Sequence, residues 1–308
     1  MLKLASILFI IGILLIGSNS LSQHVERSDK GSISITICPS TACQEAYSTI
    51  QKTAVCALYD YKGFTPPKES IIDAKHYKGV GINGSKYATN HNKYCATTTT
   101  IITGSHNPTK TKNRDLVIII NSTILARQYR TAYNALKHSR APPRFPPVNI
   151  SGTLIEALMC PSQPCKQRVL EELNKAKENI RYLAYSFTDH DVATAIIKKN
   201  ISVEGILDTG TFTGDQRPTL SKRPLYEYTG KGLLHHKLFI IYNETIITGS
   251  ANPTTNGYTR NDENIVIITS TTLARQLLNE YAYIKTQSRK LNEDDEKIRS
   301  LEKKGSPS

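Results

Sequence analysis

The sequence predicts an α/β protein made of two tandem copies of one unit, each a mixed sheet flanked by helices. Three observations carry that reading. Four elements recur in the same order. Cys38-Pro-Ser-Thr-Ala-Cys43 returns as Cys160-Pro-Ser-Gln-Pro-Cys165, and His91-Asn-Lys93 as His235-His-Lys237. Ile101-Ile-Thr-Gly-Ser-His-Asn-Pro-Thr109 returns as Ile246-Ile-Thr-Gly-Ser-Ala-Asn-Pro-Thr254, and Ser122-Thr-Ile-Leu-Ala-Arg-Gln128 as Ser270-Thr-Thr-Leu-Ala-Arg-Gln276. Chance does not keep four elements in order, so the chain is a duplication. Second, within each copy short β-branched runs alternate with stretches of helical period. Third, 308 residues with 39% hydrophobic and 21% charged side chains have ordinary globular composition, with room for about two domains. Collagen, coiled coil and wholesale disorder are excluded. So is a multispan membrane protein, since a single long apolar run exists.

In the first copy, runs of alternating or apolar character predict strands over 33–37, 55–59, 94–97, 100–103 and 116–120, and helices over 42–53 and 123–136. The intervening 62–90, with Pro66-Pro67 and scattered glycines, predicts neither the helix nor the strand found at the matching place in the second copy. There, 153–159 reads as a strand, and 163–179 as an amphipathic helix with Val169, Leu170, Leu173 and Ala176 on one face. A strand over 180–186 precedes a helix capped by Asp189 and running to about 199, then a strand over 203–207. A hairpin pairs 238–241 with 245–248 around Asn243-Glu244, followed by a strand over 265–268 and a helix over 271–284. Asp189 and Asp191 read as helix-cap residues, and Asp208 as a strand end. The domain plan is a signal or anchor over 1–20, a first repeat over 32–138, a Pro-rich linker over 139–150, a second repeat over 151–286 and a charged, solvated, helical tail over 287–308.

Charge is unevenly spread. The chain carries a net +13, but residues 21–150 hold 17 basic and 7 acidic side chains while 151–308 are nearly balanced. The first half is therefore suited to polyanions: nucleic acid, anionic headgroups or phosphorylated substrates. Lys3 followed by an apolar stretch over 4–17 and then Ser18-Asn19-Ser20 reads as a secretory signal, with an uncleaved anchor as the alternative. Both place the folded part outside the cytoplasm. The cysteines agree. Cys38 with Cys43, and Cys160 with Cys165, are five apart with no histidine ligands nearby, which suits local disulfides better than zinc. Cys56 and Cys95 are left to pair with each other.

The repeated residues carry chemistry. A His and a Lys two apart on a strand project to one face. An Asn and a Ser follow after a Gly that lets backbone approach closely. Two facing copies supply two of each. Lys93 and Lys237 would neutralise phosphate oxygens, Asn107, Asn252, Ser105 and Ser250 would donate to them, and one His would attack phosphorus while the other protonates the leaving oxygen. His76, His106 and His236 receive no role, His106 standing at a variable place inside Gly-Ser-His-Asn.

His-x-Lys followed by Gly-Ser-x-Asn, twice in one chain, resembles the phospholipase D superfamily, whose signature is H-x-K-x4-D and then G-[GS]-x-N. The resemblance covers about 32–286, and the second copy matches better. It implies two halves related by a pseudo-two-fold, one active site at their interface, no metal or other cofactor, and a phosphohistidine intermediate. It implies that His91 attacks and that His235 protonates the leaving group and then activates water. It also implies that an acidic residue downstream of the Asn orients a histidine: Glu263 in the second copy and Asp115 in the first. The chain departs from the signature at the motif Asp, which falls on Thr98 and Tyr242.

Three functions fit. One is a nuclease of the short branch, favoured by the compact copies and the basic first half. Another is a phospholipase D acting on membrane headgroups, which suits a basic, exported, anchored protein. Against the lipid reading stand the absence of Trp and the presence of only six Phe for interfacial loops. The third is a non-catalytic polyanion binder, against which retention of both His, both Lys and both Asn argues. A monomer with two pseudo-symmetric halves, touching a membrane through its N-terminal segment, is the expected form.

Overall fold

The computed structural model describes residues 27–50, 53–62, 64–84, 88–210 and 213–291. The signal or anchor segment and the far tail lie outside the described residues. The first half contributes β1 (Arg27–Asp29), β2 (Ser32–Cys38), α1 (Thr41–Ser48), β3 (Val55–Leu58), β4 (Ser70–Ile72), β5 (Ile82–Asn83), β6 (Lys93–Ala96), β7 (Thr100–Gly104), β8 (Asp115–Asn121) and α2 (Thr123–Lys137). The second contributes β9 (Val148–Ile150), β10 (Thr153–Cys160), α3 (Cys165–Lys175), β11 (Asn179–Ala184), α4 (His190–Ile197), β12 (Ser202–Leu207), α5 (Arg217–Leu220) and β13 (Leu225–Tyr228). It ends with β14 (Lys237–Ile241), β15 (Thr245–Gly249), α6 (Thr255–Thr259), β16 (Glu263–Thr269), α7 (Thr271–Thr286) and β17 (Ser288–Lys290).

The duplication is visible in the sheets. One runs β2-β8-β7-β6-β3-β4-β5; the other contains β10-β16-β15-β14-β11-β12-β13 in the same order, extended by β9 and β1 at one edge and β17 at the other. The pairings within β3-β4-β5 and β11-β12-β13 are parallel, and the hairpin that follows each His-x-Lys segment is antiparallel. The β-branched runs form these strands because both faces are covered: β8 and β16 are almost wholly buried. One apolar cluster joins Leu116, Ile118 and Tyr129 of the first half to Val266, Leu277 and Tyr281 of the second. The helices α2 and α7 therefore lie between the two sheets, with α1 packed on the outside of one sheet and α3 and α4 on the outside of the other. Ser122 and Ser270 start α2 and α7 alike, each accepting from the N–H three residues on.

Several expectations are corrected. Residues 62–90 do contain the missing strand: β4 lies parallel to β3 where β12 lies parallel to β11. Its three residues are too few for a periodicity signal. The helix expected over 163–179 is shorter, because Ala176 turns out of helical conformation (ψ 126°) and β11 starts at Asn179. The one expected over 42–53 ends its helical run at Ser48. The linker is not free. Phe145 is buried, and the Gln128 and Gln163 side chains donate to the carbonyls of Pro146 (2.9 Å) and Pro143 (2.7 Å). Its end is β9, paired with β10. The start of the charged tail is β17, an edge strand against β13. Three disulfides close as expected: Cys38–Cys43, Cys56–Cys95 between neighbouring strands, and Cys160–Cys165. Among the described residues no helix is long and apolar enough to cross a membrane.

Candidate active site

The site forms where the two halves exchange backbone. His91 N–H donates to the carbonyl of Asp262 (2.9 Å), and Asp262 N–H to that of Thr89 (2.9 Å). In the mirror arrangement His235 N–H donates to the carbonyl of Arg114 (2.7 Å), and Arg114 N–H to that of Leu233 (2.8 Å). Each histidine segment thus pairs with the residue just before the acid of the opposite half. The acids consequently cross over. Glu263 of the second half holds His91 of the first, with Nδ1 2.8 and 2.9 Å from its two oxygens. Asp115 of the first half faces His235 of the second, Nδ1 to Oδ2 3.4 Å. A carboxylate only accepts, so the His91 proton sits on Nδ1 and leaves the Nε2 lone pair free.

Lys93 and Lys237 begin β6 and β14, two residues on, and turn to the same face. Each donates to the carbonyl of its own histidine, at 2.7 and 2.9 Å. Each lies over a tyrosine ring, Lys93 over Tyr59 at 5.3 Å and Lys237 over Tyr185 at 5.4 Å. Those same rings touch His91 and His235, with centroids 4.8 and 5.3 Å apart. The imidazoles reach solvent, with 13% and 10% of their side chains exposed, whereas Lys93 and Lys237 are 0% and 2% exposed. Solvent therefore reaches the imidazoles, while the ammoniums lie beneath the surface.

Burial sets the electrostatics. It pushes Lys93 down to about 8 despite Glu263 and Asp115, and carries Lys237 well below the ordinary lysine value, helped by Lys93 beside it. Burial also lowers His91, with Glu263 opposing, and takes His235 to about 3 with the help of Lys237. For Glu263 burial acts upward but is outweighed by His91 and Lys93, so the carboxyl stays below its usual value. Asp115, likewise buried, is held well below the carboxylate range by His106 and His235. With both carboxyls ionised and both imidazoles neutral, burial and mutual repulsion oppose holding two ammoniums side by side, and an anion placed between the lysines would favour that state.

The glycines before the serines are required. Gly104 and Gly249 have φ of 135° and 142°, and a Cβ there would lie 2.3 and 2.2 Å from the carbonyls of Leu116 and Asn264. Asn107 and Asn252 each have a buried side-chain oxygen that is unpartnered among the described residues. Ser105 and Ser250 correct the expectation of phosphate donors. Both are fully buried, and their hydroxyls accept from the N–H of Leu116 (3.0 Å) and Asn264 (2.9 Å), the residues after the two acids. They hold the acid-bearing strands. Thr98 and Tyr242 sit in the turns after β6 and β14; Tyr242 is five residues past Lys237, roughly 16 Å along an extended strand. The missing motif Asp is thus remote from the chemistry.

Other residues entered the site unannounced. Asp73 and Asp208 end equivalent strands and accept from the N–H of Asn90 (3.0 Å) and Leu234 (2.7 Å), the residues just before the two histidines. The sequence signal was an Asp closing matched apolar strands, legible only once β4 is recognised. His236 is buried against Glu280 (3.4 Å), which also holds Arg114 across the interface. Asp189 caps α4 and Asp191 pairs with Lys166. Among the described residues, the one grouping with metal-ligand proximity is Cys38, His106 and Asp115, and Cys38 is tied up in its disulfide.

Comparison with known proteins agrees with this geometry. Residues 169–285, inside the second half, match the family described as Cardiolipin synthase, PLD-like domain. The chain is 29% identical over 152 residues to a phospholipase D of Rickettsia prowazekii, covering 45% of this chain and 71% of that one. It is 28% identical over 122 residues to the mitochondrial cardiolipin hydrolase of Danio rerio, covering 37% and 54%. The crystal structure of phosphatidylserine synthase from Haemophilus influenzae superposes with a TM-score of 0.61 at 12% identity, over 83% of this chain and 87% of that one, a likeness of fold.

Proposed function

The chain belongs to the phospholipase D superfamily and is a phosphodiester hydrolase, and on that footing we propose that it is a metal-independent nuclease working through a phosphohistidine on His91. The crossed pairs, Glu263 with His91 and Asp115 with His235, carry the reading, because they set two imidazoles of different support beside two mutually repelling lysines. His91 Nε2 attacks phosphorus and a P–N bond forms as the P–O bond to the leaving group breaks. The leaving oxygen takes the proton from His235 Nε2. Water then gives its proton to His235 and its oxygen to phosphorus, breaking P–N and freeing His91. Lys93 and Lys237 neutralise the non-bridging oxygens, with Asn107 and Asn252 donating beside them. The depressed His235 gains its proton once the anionic phosphate lies between the lysines, since that charge offsets the one from Lys237.

The basic first half supports a nucleic-acid backbone as substrate. A phospholipid headgroup is the second reading, favoured by the names of the relatives in Rickettsia and Danio. An extracytoplasmic protein, monomeric and held at a membrane by its apolar N-terminal stretch, belongs to the same proposal, supported by the three disulfides. The deciding experiment gives the purified protein, in EDTA, single- and double-stranded DNA, RNA and phosphatidylcholine or cardiolipin vesicles. Nucleic-acid cleavage should dominate, and affinity should fall by about 0.7–0.9 log units per log unit of salt for each phosphate contacted. Headgroup release with intact nucleic acid selects the lipid reading; dependence on an added divalent ion defeats the metal-free mechanism.

Lys93 makes anion binding pH-dependent. Its ammonium is present below about 8 and lost above, so sulfate, whose own charge is constant here, should bind more weakly as pH rises through 8. Calorimetry in buffers of different ionisation heat should also show proton uptake on binding near pH 8. Sulfate affinity flat from pH 6 to 9 places the anion away from Lys93.

A further inference from the structure

The two halves differ at one buried point. Where the second half has Ala251 in Gly-Ser-Ala-Asn, the first has His106, 3% exposed, with Nδ1 3.0 Å from Asp115 Oδ1. The other oxygen of that carboxylate is the one facing His235 Nδ1 at 3.4 Å. Asp115 therefore lies between two imidazoles, hydrogen-bonded to His106 and in looser contact with His235, whose Nδ1 has no hydrogen-bond partner among the described residues, whereas Glu263 turns both oxygens on His91. Two differences meet here. Asp is one methylene shorter than Glu, so its carboxylate stays closer to β8. The space behind it, which a methyl group fills in the second half, is filled by an imidazole whose Nδ1–H must donate, because the carboxylate can only accept.

We propose that His106 is a positioning residue that divides Asp115 between itself and His235, loosening the hold on His235 and so making the two otherwise matched histidines unequal. This rests on the reading of His235 as the acid. A nucleophile needs a neutral imidazole in a fixed tautomer, which Glu263 imposes on His91. An acid must release its proton to the leaving group, and a weakly held imidazolium releases it more readily than one locked to a full carboxylate. His106 supplies that weakening by drawing part of the Asp115 charge onto its own N–H.

The other groups around this chain are fixed. His106 packs beside the Tyr47 ring (centroids 6.3 Å apart), whose hydroxyl donates to the carbonyls of Lys93 and His106, and beside Cys38 in its disulfide with Cys43. His235 is faced by Lys237, Lys93 and the Tyr185 ring, with His91 and Glu263 on the opposite half-site. The two lysines lower His235 and Asp115 raises it, so a change in how Asp115 is shared moves His235 in a known direction. With His106 removed, the whole carboxylate acts on His235 and its pKa rises.

The test compares wild type with His106→Ala, His106→Asn and the double variant His106→Ala with Asp115→Glu. Histidine NMR titration of the ligand-free full chain reads His235 directly and needs no activity. His106→Ala should raise its pKa by about one unit. His106→Asn, whose amide can still donate to Asp115, should stay near wild type. The double variant, which reproduces the second half's arrangement, should raise it at least as far as His106→Ala. On the substrate that the wild type cleaves, the basic limb of the kcat profile should move to higher pH in His106→Ala, because an acid of raised pKa stays protonated longer. An unmoved His235 titration in folded His106→Ala, or a His106→Asn that behaves like His106→Ala, overturns the proposal and leaves His106 as packing. Should His106→Ala fail to fold, His106→Leu, which fills the space without a donor, makes the same comparison against His106→Asn. If His235 titrates as stated but no phosphodiester is cleaved, the positioning stands and the hydrolytic reading of His235 falls.

Discussion

Replacing His91 by Ala should abolish both turnover and any covalent phosphoenzyme, a loss on the order of 10⁴–10⁶ in kcat, as for removal of a nucleophile that acts as part of a unit. The expectation comes from geometry: His91 has its tautomer set by two contacts to Glu263, of 2.8 and 2.9 Å. His235→Ala should cost similarly on a natural substrate. On one with an activated leaving group, which needs little protonation, it should still form the adduct. Rapid quench followed by mass mapping should then locate phosphate on His91 in His235→Ala protein, and the adduct should accumulate, because the residue that activates water is gone. Phosphate found on His235 in the wild type, and surviving His91→Ala, reverses the two roles. Unchanged rates in both variants remove the hydrolytic site altogether and return the chain to a polyanion binder.

The second large effect separates the two acids. Glu263→Ala should lower kcat by about 10³–10⁴, the scale seen when an orienting carboxylate is lost and the wrong tautomer is left behind. Asp115→Ala should cost less, about 10- to 100-fold, the scale of losing one electrostatic contact beside a buried imidazole whose Nδ1 makes no well-formed hydrogen bond among the described residues. The asymmetry follows from the distances, two contacts under 3 Å against a single one of 3.4 Å. Circular dichroism and thermal melts on each variant distinguish lost chemistry from lost fold, since both acids are buried and each is the first residue of a strand. Equal losses, or a larger one at Asp115, contradict the assignment of the better-held histidine as the nucleophile.

The repeat made much of this legible. Aligning the two copies identified β6, β7, β8 and their partners β14, β15, β16, because three-dimensional equivalence is inherited by equal residues at equal spacing. The same alignment marked His91, Lys93 and Asn107 with His235, Lys237 and Asn252, whereas Glu263 and its counterpart Asp115 came from the family resemblance. What escaped were elements too short to have a period, such as β4 and β17, and residues whose partners lie in the other copy. Asp73 and Asp208 ended strands in isolation, and nothing local said that each held the residue before a histidine. Ser105 and Ser250 stood in the motif, but their burial and the backbone N–H groups they accept from belong to a neighbouring strand.

By itself the sequence determined the duplicated α/β plan, the cysteines that pair and the polar residues that recur in both copies, because periodicity, cysteine spacing and repeated residues are local properties. Only the tertiary structure decided who serves whom. The acids cross between halves because each histidine segment hydrogen-bonds the backbone just before the opposite acid. That pairing depends on how the sheets face each other across α2 and α7. The unequal support of two matched histidines was decided there too, since one shorter side chain and one extra imidazole act only after folding has brought Asp115, His106 and His235 together.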